Sequence, residues 1–89
     1  MPEVRVPTIL RSYTSGEKVV TADGASLEAV VQDLDSRYPG IGGRIVDEGG
    51  LRRFVNIYLN DEDVRFLDGL QTPVTASDSI TILPAVAGG

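Results

Sequence analysis

Ser26-Leu27-Glu28-Ala29-Val30-Val31-Gln32-Asp33-Leu34-Asp35-Ser36-Arg37-Tyr38-Pro39-Gly40 is the stretch from which the fold follows. Leu27, Val30, Val31, Leu34 and Tyr38 recur with the spacing of one helical face, an apolar stripe of 3.6-residue period. Ser26 stands where an N-cap hydroxyl is needed, and Glu28 lies in the first turn, against the positive end of the helix dipole. Pro39-Gly40 ends the helix. Glu28, Gln32, Asp33, Asp35 and Ser36 make the other side polar and water-facing. A single helix with one apolar face has to cover one apolar surface, and the flanking segments supply it as strands.

Upstream, Val4, Val6 and Leu10 alternate around Arg5, Ser15-Gly16 is a turn signal, and Lys18 to Ala22 follows, so a β-hairpin is predicted. Pro7 has no N–H to donate and belongs on an unpaired side or at a bulge. Downstream, 40–50 holds five glycines and reads as irregular, with a helical turn around Arg44 to Val46. Val55, Ile57 and Leu59 alternate with Phe54, Asn56, Tyr58 and Asn60, the period of a strand. Asn60-Asp61-Glu62-Asp63 is a turn, Val64 to Phe66 a short pairing strand, Asp68-Gly69 a second turn, and Ser79 to Leu83 the final strand. The order strand, strand, helix, strand, short strand, strand predicts a two-layer α+β domain spanning residues 1–89, with a flexible tail over 84–89.

Composition narrows the chemistry. Of 89 residues, 8 are Lys or Arg and 13 Asp or Glu, a net charge of −5, and there is no Cys, His or Trp. A chain of this length buries roughly 60 to 70 per cent of its unfolded surface, enough for one small core. Without Cys there is no disulfide, thiolate nucleophile or thiolate-held metal; without His, no side chain titrates near neutrality unperturbed. Only carboxylates, Lys and Tyr remain for proton transfer, which argues against an autonomous enzyme. The acidic balance gives no footprint for a phosphate backbone, so nucleic acid is not an expected partner. Glu3, Arg5 and Arg11 interrupt the apolar residues of the opening stretch, and no run approaches membrane-spanning length. A cytoplasmic protein without membrane contact is expected.

Two motifs invite chemistry and do not carry it. The oxygen-rich Asn60-Asp61-Glu62-Asp63 lacks the glycine and the distal glutamate of an EF-hand loop. Gly40-Ile41-Gly42-Gly43-Arg44 follows a helix, whereas phosphate-binding loops follow a strand. Tyr13, Tyr38 and Tyr58 are scattered, and Ser12, Thr14 and Ser15 have no base to activate them. The C-terminal Leu83-Pro84-Ala85-Val86-Ala87-Gly88-Gly89 is different: small residues without bulk suit a narrow cleft, and they end in a carboxylate. That group is ionised and inert at pH 7. Adenylation by a partner would supply a leaving group, and sulfide or an amine would then form a thiocarboxylate or an amide.

Pro7-Thr8-Ile9-Leu10-Arg11 with Thr14-Ser15-Gly16, the helix from Leu27, Leu59-Asn60 followed by Val64, and Ser77-Asp78-Ser79-Ile80 with the Gly88-Gly89 tail together resemble the landmarks of the ubiquitin-like sulfur carriers. This is the MoaD/ThiS-like family of the molybdopterin-synthase small subunit and the thiamin sulfur carrier. Arg53-Phe54-Val55-Asn56-Ile57-Tyr58 with Asn60 to Phe66 is most similar to its cysteine-biosynthesis branch. The resemblance implies a ubiquitin-like β-grasp, a mixed sheet packed on one main helix. It also implies that a ubiquitin-activating-like adenylyltransferase of the MoeB/ThiF type uses ATP to activate Gly89, whose thiocarboxylate then gives up its sulfur, with no cofactor bound to the carrier itself. Ala87, Gly88 and Gly89 would enter partner active sites. The acceptor would be a cysteine synthase, followed by a metalloprotease, or a thiazole-synthase-like or molybdopterin-forming enzyme. A ubiquitin-like modifier joined through Gly89 is the alternative fate, and a structural subunit of a stable complex a third. Ser77 and Ala85 stand where relatives often have Gly and Pro. Phe66, Leu67, Leu70 and Val86 are the candidate apolar docking residues, on the sheet face away from the helix; each could equally be core, and for Leu70 core is the stronger reading.

Overall fold

The computed structural model describes residues 1–48, 50–52 and 55–84. In chain order these form β1 (Glu3–Arg5), a 3-10 segment (Thr8–Thr14), β2 (Val19–Thr21), α1 (Leu27–Arg37), α2 (Gly42–Ile45), β3 (Val46–Asp47), β4 (Gly50–Leu51), β5 (Val55–Leu59), β6 (Glu62–Asp63), two 3-10 turns (Val64–Phe66 and Gly69–Gln71) and β7 (Ser79–Pro84). The main sheet runs β2-β1-β7-β5-β6, and β3-β4 is a small separate hairpin. β7 pairs parallel with β1 and antiparallel with β5. This is the mixed sheet expected of a β-grasp.

The helix forms as the sequence dictates. Ser26 Oγ accepts from the Ala29 N–H at 3.2 Å, and Leu27, Val30, Val31 and Leu34 are buried. They face Val4, Val20, Val55, Ile57, Ile80 and Ile82, the inward residues of the sheet, in one core that Leu10, Ile41, Ile45, Val64 and Val74 complete. Apolar burial of this kind is the main favourable term holding the two layers together.

Four expectations are corrected. The β1–β2 hairpin exists, but Leu10 is not in a strand. Pro7 is buried and precedes the 3-10 segment with φ −68°, and the Leu10 N–H donates to Pro7 O at 2.9 Å, turning Leu10 into the core. Ser15, at φ 56°, reverses the chain, and buried Thr14 anchors the loop by donating to Arg11 O (3.2 Å) or Glu17 O (2.9 Å). Second, Val64 to Phe66 is a 3-10 turn, and the pairing residues are Glu62–Asp63. Asn60 and Asp61 take φ 51° and 77° as a two-residue left-handed hairpin loop, so pairing resumes at once. The Asp63 carboxylate then accepts from the Arg65 N–H at 2.8 Å and starts the 3-10 turn. Third, the helical turn lies at Gly42–Ile45, because Val46 already pairs with Leu51. Fourth, β7 continues to Pro84, opposite Val55, one residue beyond the strand end expected at Leu83. Phe54 lies outside the described residues.

Gly24 packs against the first turn of α1 with φ 157°, and a Cβ there would lie 2.6 Å from the Val30 backbone nitrogen. Gly24→Ala is therefore expected to cost about 2–3 kcal/mol in urea unfolding, through strain and clash. Gly43→Ala, whose Cβ would meet nothing within 4 Å, should leave stability unchanged or raise it by under about 1 kcal/mol.

Candidate functional site at the tail end of the sheet

The strand register gathers one set of termini at one end. Arg5 pairs with Thr81 and Val19, and Pro84 with Val55, so the ends of β1 and β7 lie beside the starts of β2 and β5. Pro84, the last described residue before Gly89 in sequence, stands at this end. Val86, Ala87, Gly88 and Gly89, the expected tail residues, lie outside the described residues, as does Ala85.

On the face away from α1, Val19, Arg5, Thr81, Tyr58 and Asp63 form a cross-strand row, and Leu83 stands opposite Asn56. Val19 and Leu83 are each 44% exposed. Neither belongs to the apolar set expected from the sequence, although the alternation that buries Ile80 and Ile82 turns Leu83 outward. Of that expected set, Phe66 (87% exposed) and Leu67 (39%) stand on the 3-10 turn after β6. Leu70 is half-buried against the core and lines a hollow with Val31 and Val46, on the helix side of the sheet. Phe66, Leu67 and Leu70 are therefore not one patch on the open face, because the turn at Gly69 carries Leu70 back under α1.

Beside the start of β5, an open hollow of about 550 Å³ separates the 3-10 segment from α2, lined by Pro7, Ile9, Leu10, Ser12, Tyr13, Arg44, Arg52, Val55 and Ile82. Arg44 Nε donates to the Tyr13 hydroxyl at 2.8 Å, with its guanidinium 6.0 Å from the ring centre. That hydrogen bond raises the Arg44 pKa further. Arg52 Nε donates to Gly43 O at 2.7 Å. Arg65 donates through Nη2 to Arg52 O (2.9 Å) and Val55 O (2.7 Å) and through Nη1 to Asn56 Oδ1, fixing the start of β5.

The far end is held by Asn60 and Asp78. Asn60 Nδ2 donates to Asp78 Oδ1 at 2.8 Å, and Asn60 Oδ1 accepts from the Ser79 N–H at 2.9 Å. Asp78 Oδ2 accepts from the Thr75 N–H at 2.7 Å. That backbone bond, then Asn60, holds the Asp78 carboxyl below the usual carboxylate range. Ser77, exposed, sits in this turn with its hydroxyl 3.3 Å from that of Thr75. Asp33 is likewise lowered, first by the Asp23 N–H and then by Arg37. Among the described residues, no three metal-ligating side chains converge, and no helix is long and apolar enough to cross a membrane.

The ThiS family profile matches residues 4–89. The sulfur carrier protein CysO of Mycobacterium tuberculosis (strain ATCC 25618 / H37Rv) is 57% identical over 89 residues, covering 97% of this chain and 96% of that protein. Among solved structures, a chain of the Amycolatopsis orientalis BexX/CysO complex superposes with a TM-score of 0.94 at 53% identity, covering 100% of both chains. The small archaeal modifier protein 1 of Methanosarcina acetivorans superposes with a TM-score of 0.83 at 31% identity, covering 98% of this chain and 94% of that one.

Two outcomes follow from this geometry. Phe66→Asp should leave the thermal transition in place, whereas Leu70→Asp, which puts a charge against the core, should lower it; calorimetry of the two variants checks this. The second concerns acid. A carboxyl whose folded pKa is depressed stabilises the fold above its unfolded pKa, about 3.9, and loses that contribution as pH falls through the folded value. Asp78→Asn should therefore lower the urea midpoint at pH 7 and shrink the difference between midpoints at pH 7 and below about pH 3.

Proposed function

The chain belongs to the ThiS family, and from that premise we propose that it carries sulfur as a thiocarboxylate at Gly89 and delivers it for biosynthesis, of cysteine in the first instance. It is a ubiquitin-like sulfur carrier protein. The observation that carries the proposal is the identity with CysO across the whole chain, within a family match that runs through Gly88-Gly89.

The chemistry is that of an activated carboxylate. A Gly89 carboxylate oxygen attacks the α-phosphorus of ATP on an adenylyltransferase of the MoeB/ThiF type, pyrophosphate leaves, and the acyl-adenylate forms. Sulfide sulfur then adds to the carbonyl carbon, and AMP departs with the bonding pair, leaving Gly89-COS⁻. In the cysteine branch the thiocarboxylate sulfur takes the place of the leaving group of an activated serine on a cysteine synthase, the acyl group passes from sulfur to the new cysteine's amine, and a metalloprotease hydrolyses that amide to free cysteine and the Gly89 carboxylate. The chain is a co-substrate in these steps and binds no cofactor; the ATP belongs to the activating enzyme, and the cytoplasm is where this exchange takes place. Ala87 and Gly88 have no bulk beyond a methyl group, which suits a channel leading to the reacting carbon.

Similarity to the archaeal modifier protein favours a second use of the same activated end, isopeptide formation with lysines. Intact-mass spectrometry after incubation with ATP, a sulfide source and the cognate adenylyltransferase is the test. A gain equal to exchanging one oxygen for sulfur, absent from a Gly89-deleted chain, is expected. No gain with an active enzyme overturns the carrier proposal, and lysine-linked adducts in lysate would move it to the modifier.

A further inference from the structure

We propose that the hollow between the 3-10 segment and α2, capped by Arg44 and Arg52, receives an acidic side chain of the enzyme that activates the tail, so that body and tail are gripped together. This rests on the sulfur-carrier proposal and names a contact within it.

Three observations converge. Each guanidinium is fixed through Nε, Arg44 on the Tyr13 hydroxyl and Arg52 on Gly43 O, and no described residue accepts from their outer Nη atoms. Two oriented forks with free outer donors match a carboxylate. Below them Leu10, Val55 and Ile82 are buried and apolar, and Ile9, 68% exposed, forms the lip. A carboxylate on an aliphatic stem fits both parts.

The second observation is charge segregation. On a chain of net charge −5, the fold places Arg11, Lys18, Arg44, Arg52 and Arg65 at the tail end, with Glu17 and Asp35 beside them. Glu3, Asp61, Glu62 and Asp78 lie at the opposite end. A partner approaching the tail meets a positive surface, and complementary charge speeds and orients that encounter.

Reach is the third. Five residues follow Pro84, and at about 3.3 Å each they span at most about 17 Å. An enzyme that takes Gly89 into its active site must bring its rim up to the strand ends, where Val55 both pairs with Pro84 and lines the hollow. The chain's own tail is the rival occupant, and the test separates the two.

The test measures binding of the cognate adenylyltransferase to the full-length chain at low and high salt. The double variant R44E/R52E is expected to raise Kd about tenfold or more and to flatten the salt dependence, while R44K/R52K, which keeps the charge and loses the fork, weakens binding by less and keeps the salt dependence. Ile9→Asp alters the lip without touching either arginine, and it should also weaken binding with the thermal transition unchanged; it decides the matter if R44E/R52E does not fold. Unchanged affinity in the folded variants overturns the inference. So does tighter binding by R44E/R52E, which would mean that the tail itself occupies the hollow, or a defect confined to the sulfur-accepting enzyme. If wild type is bound and thiocarboxylated, the carrier proposal stands whichever way the variants fall; if wild type is neither bound nor modified, both fall.

Discussion

The hydrogen-bond ladders on the two sides of β7 are what the remaining structure depends on. β1 and β5 are distant in sequence, and β7 joins them, parallel to one and antiparallel to the other. Its inward residues, Ile80 and Ile82, meet α1 at the centre of the core. Without β7 the sheet falls into two pieces, β1-β2 and β5-β6, and two-stranded ribbons are marginal in water. Its position also orients the molecule: running parallel to β1, β7 brings the chain at Pro84 to the end of the sheet where Arg5 and Val55 lie.

The Asn60–Asp78 contact serves the same strand. Asn60 accepts a left-handed conformation that most residues resist, and from that turn its amide bonds both Asp78 and the Ser79 backbone. The turn leaving β5 is thereby tied to the residue that opens β7. Arg65 does comparable work at the other end, bridging two carbonyls at the start of β5. Polar side chains on an acidic surface thus set the limits of the two strands that the core alone leaves free to slide.

What was legible in the sequence followed from strong periodicity. The Leu27 to Leu34 stripe, the Ser26 cap and the alternations over 55–59 and 79–83 each involve many residues agreeing on one face, and the structure has them where expected. The misplaced elements are those decided by one or two residues in tertiary context. Leu10 continues an alternation on paper, yet Pro7 ends the strand and the core takes Leu10 from a 3-10 turn instead. Val64 to Phe66 looks extended by composition, but the left-handed pair at Asn60-Asp61 brings pairing forward to Glu62. The expected docking set divides for a related reason: Phe66 and Leu67 are exposed, whereas the turn at Gly69 takes Leu70 back against the core, the reading its apolar side chain favours. Arg44 and Arg52 carry no local pattern at all; only the fold brings them to one hollow.

Absence of Cys and His shapes the division of labour in a chain with this tail. A carrier holding its own nucleophile or base beside an activated carbonyl would offer that carbonyl a competing reaction, hydrolysis or self-acylation, before any acceptor arrived. Tyr13, which lines the hollow, is engaged by Arg44, and buried Thr14 is turned to backbone carbonyls. Arginines in this setting supply charge without nucleophilicity, because the guanidinium stays protonated at any physiological pH. Four of the five cations placed at the tail end, Arg11, Arg44, Arg52 and Arg65, are of this inert kind, and Lys18 is the one amine among them.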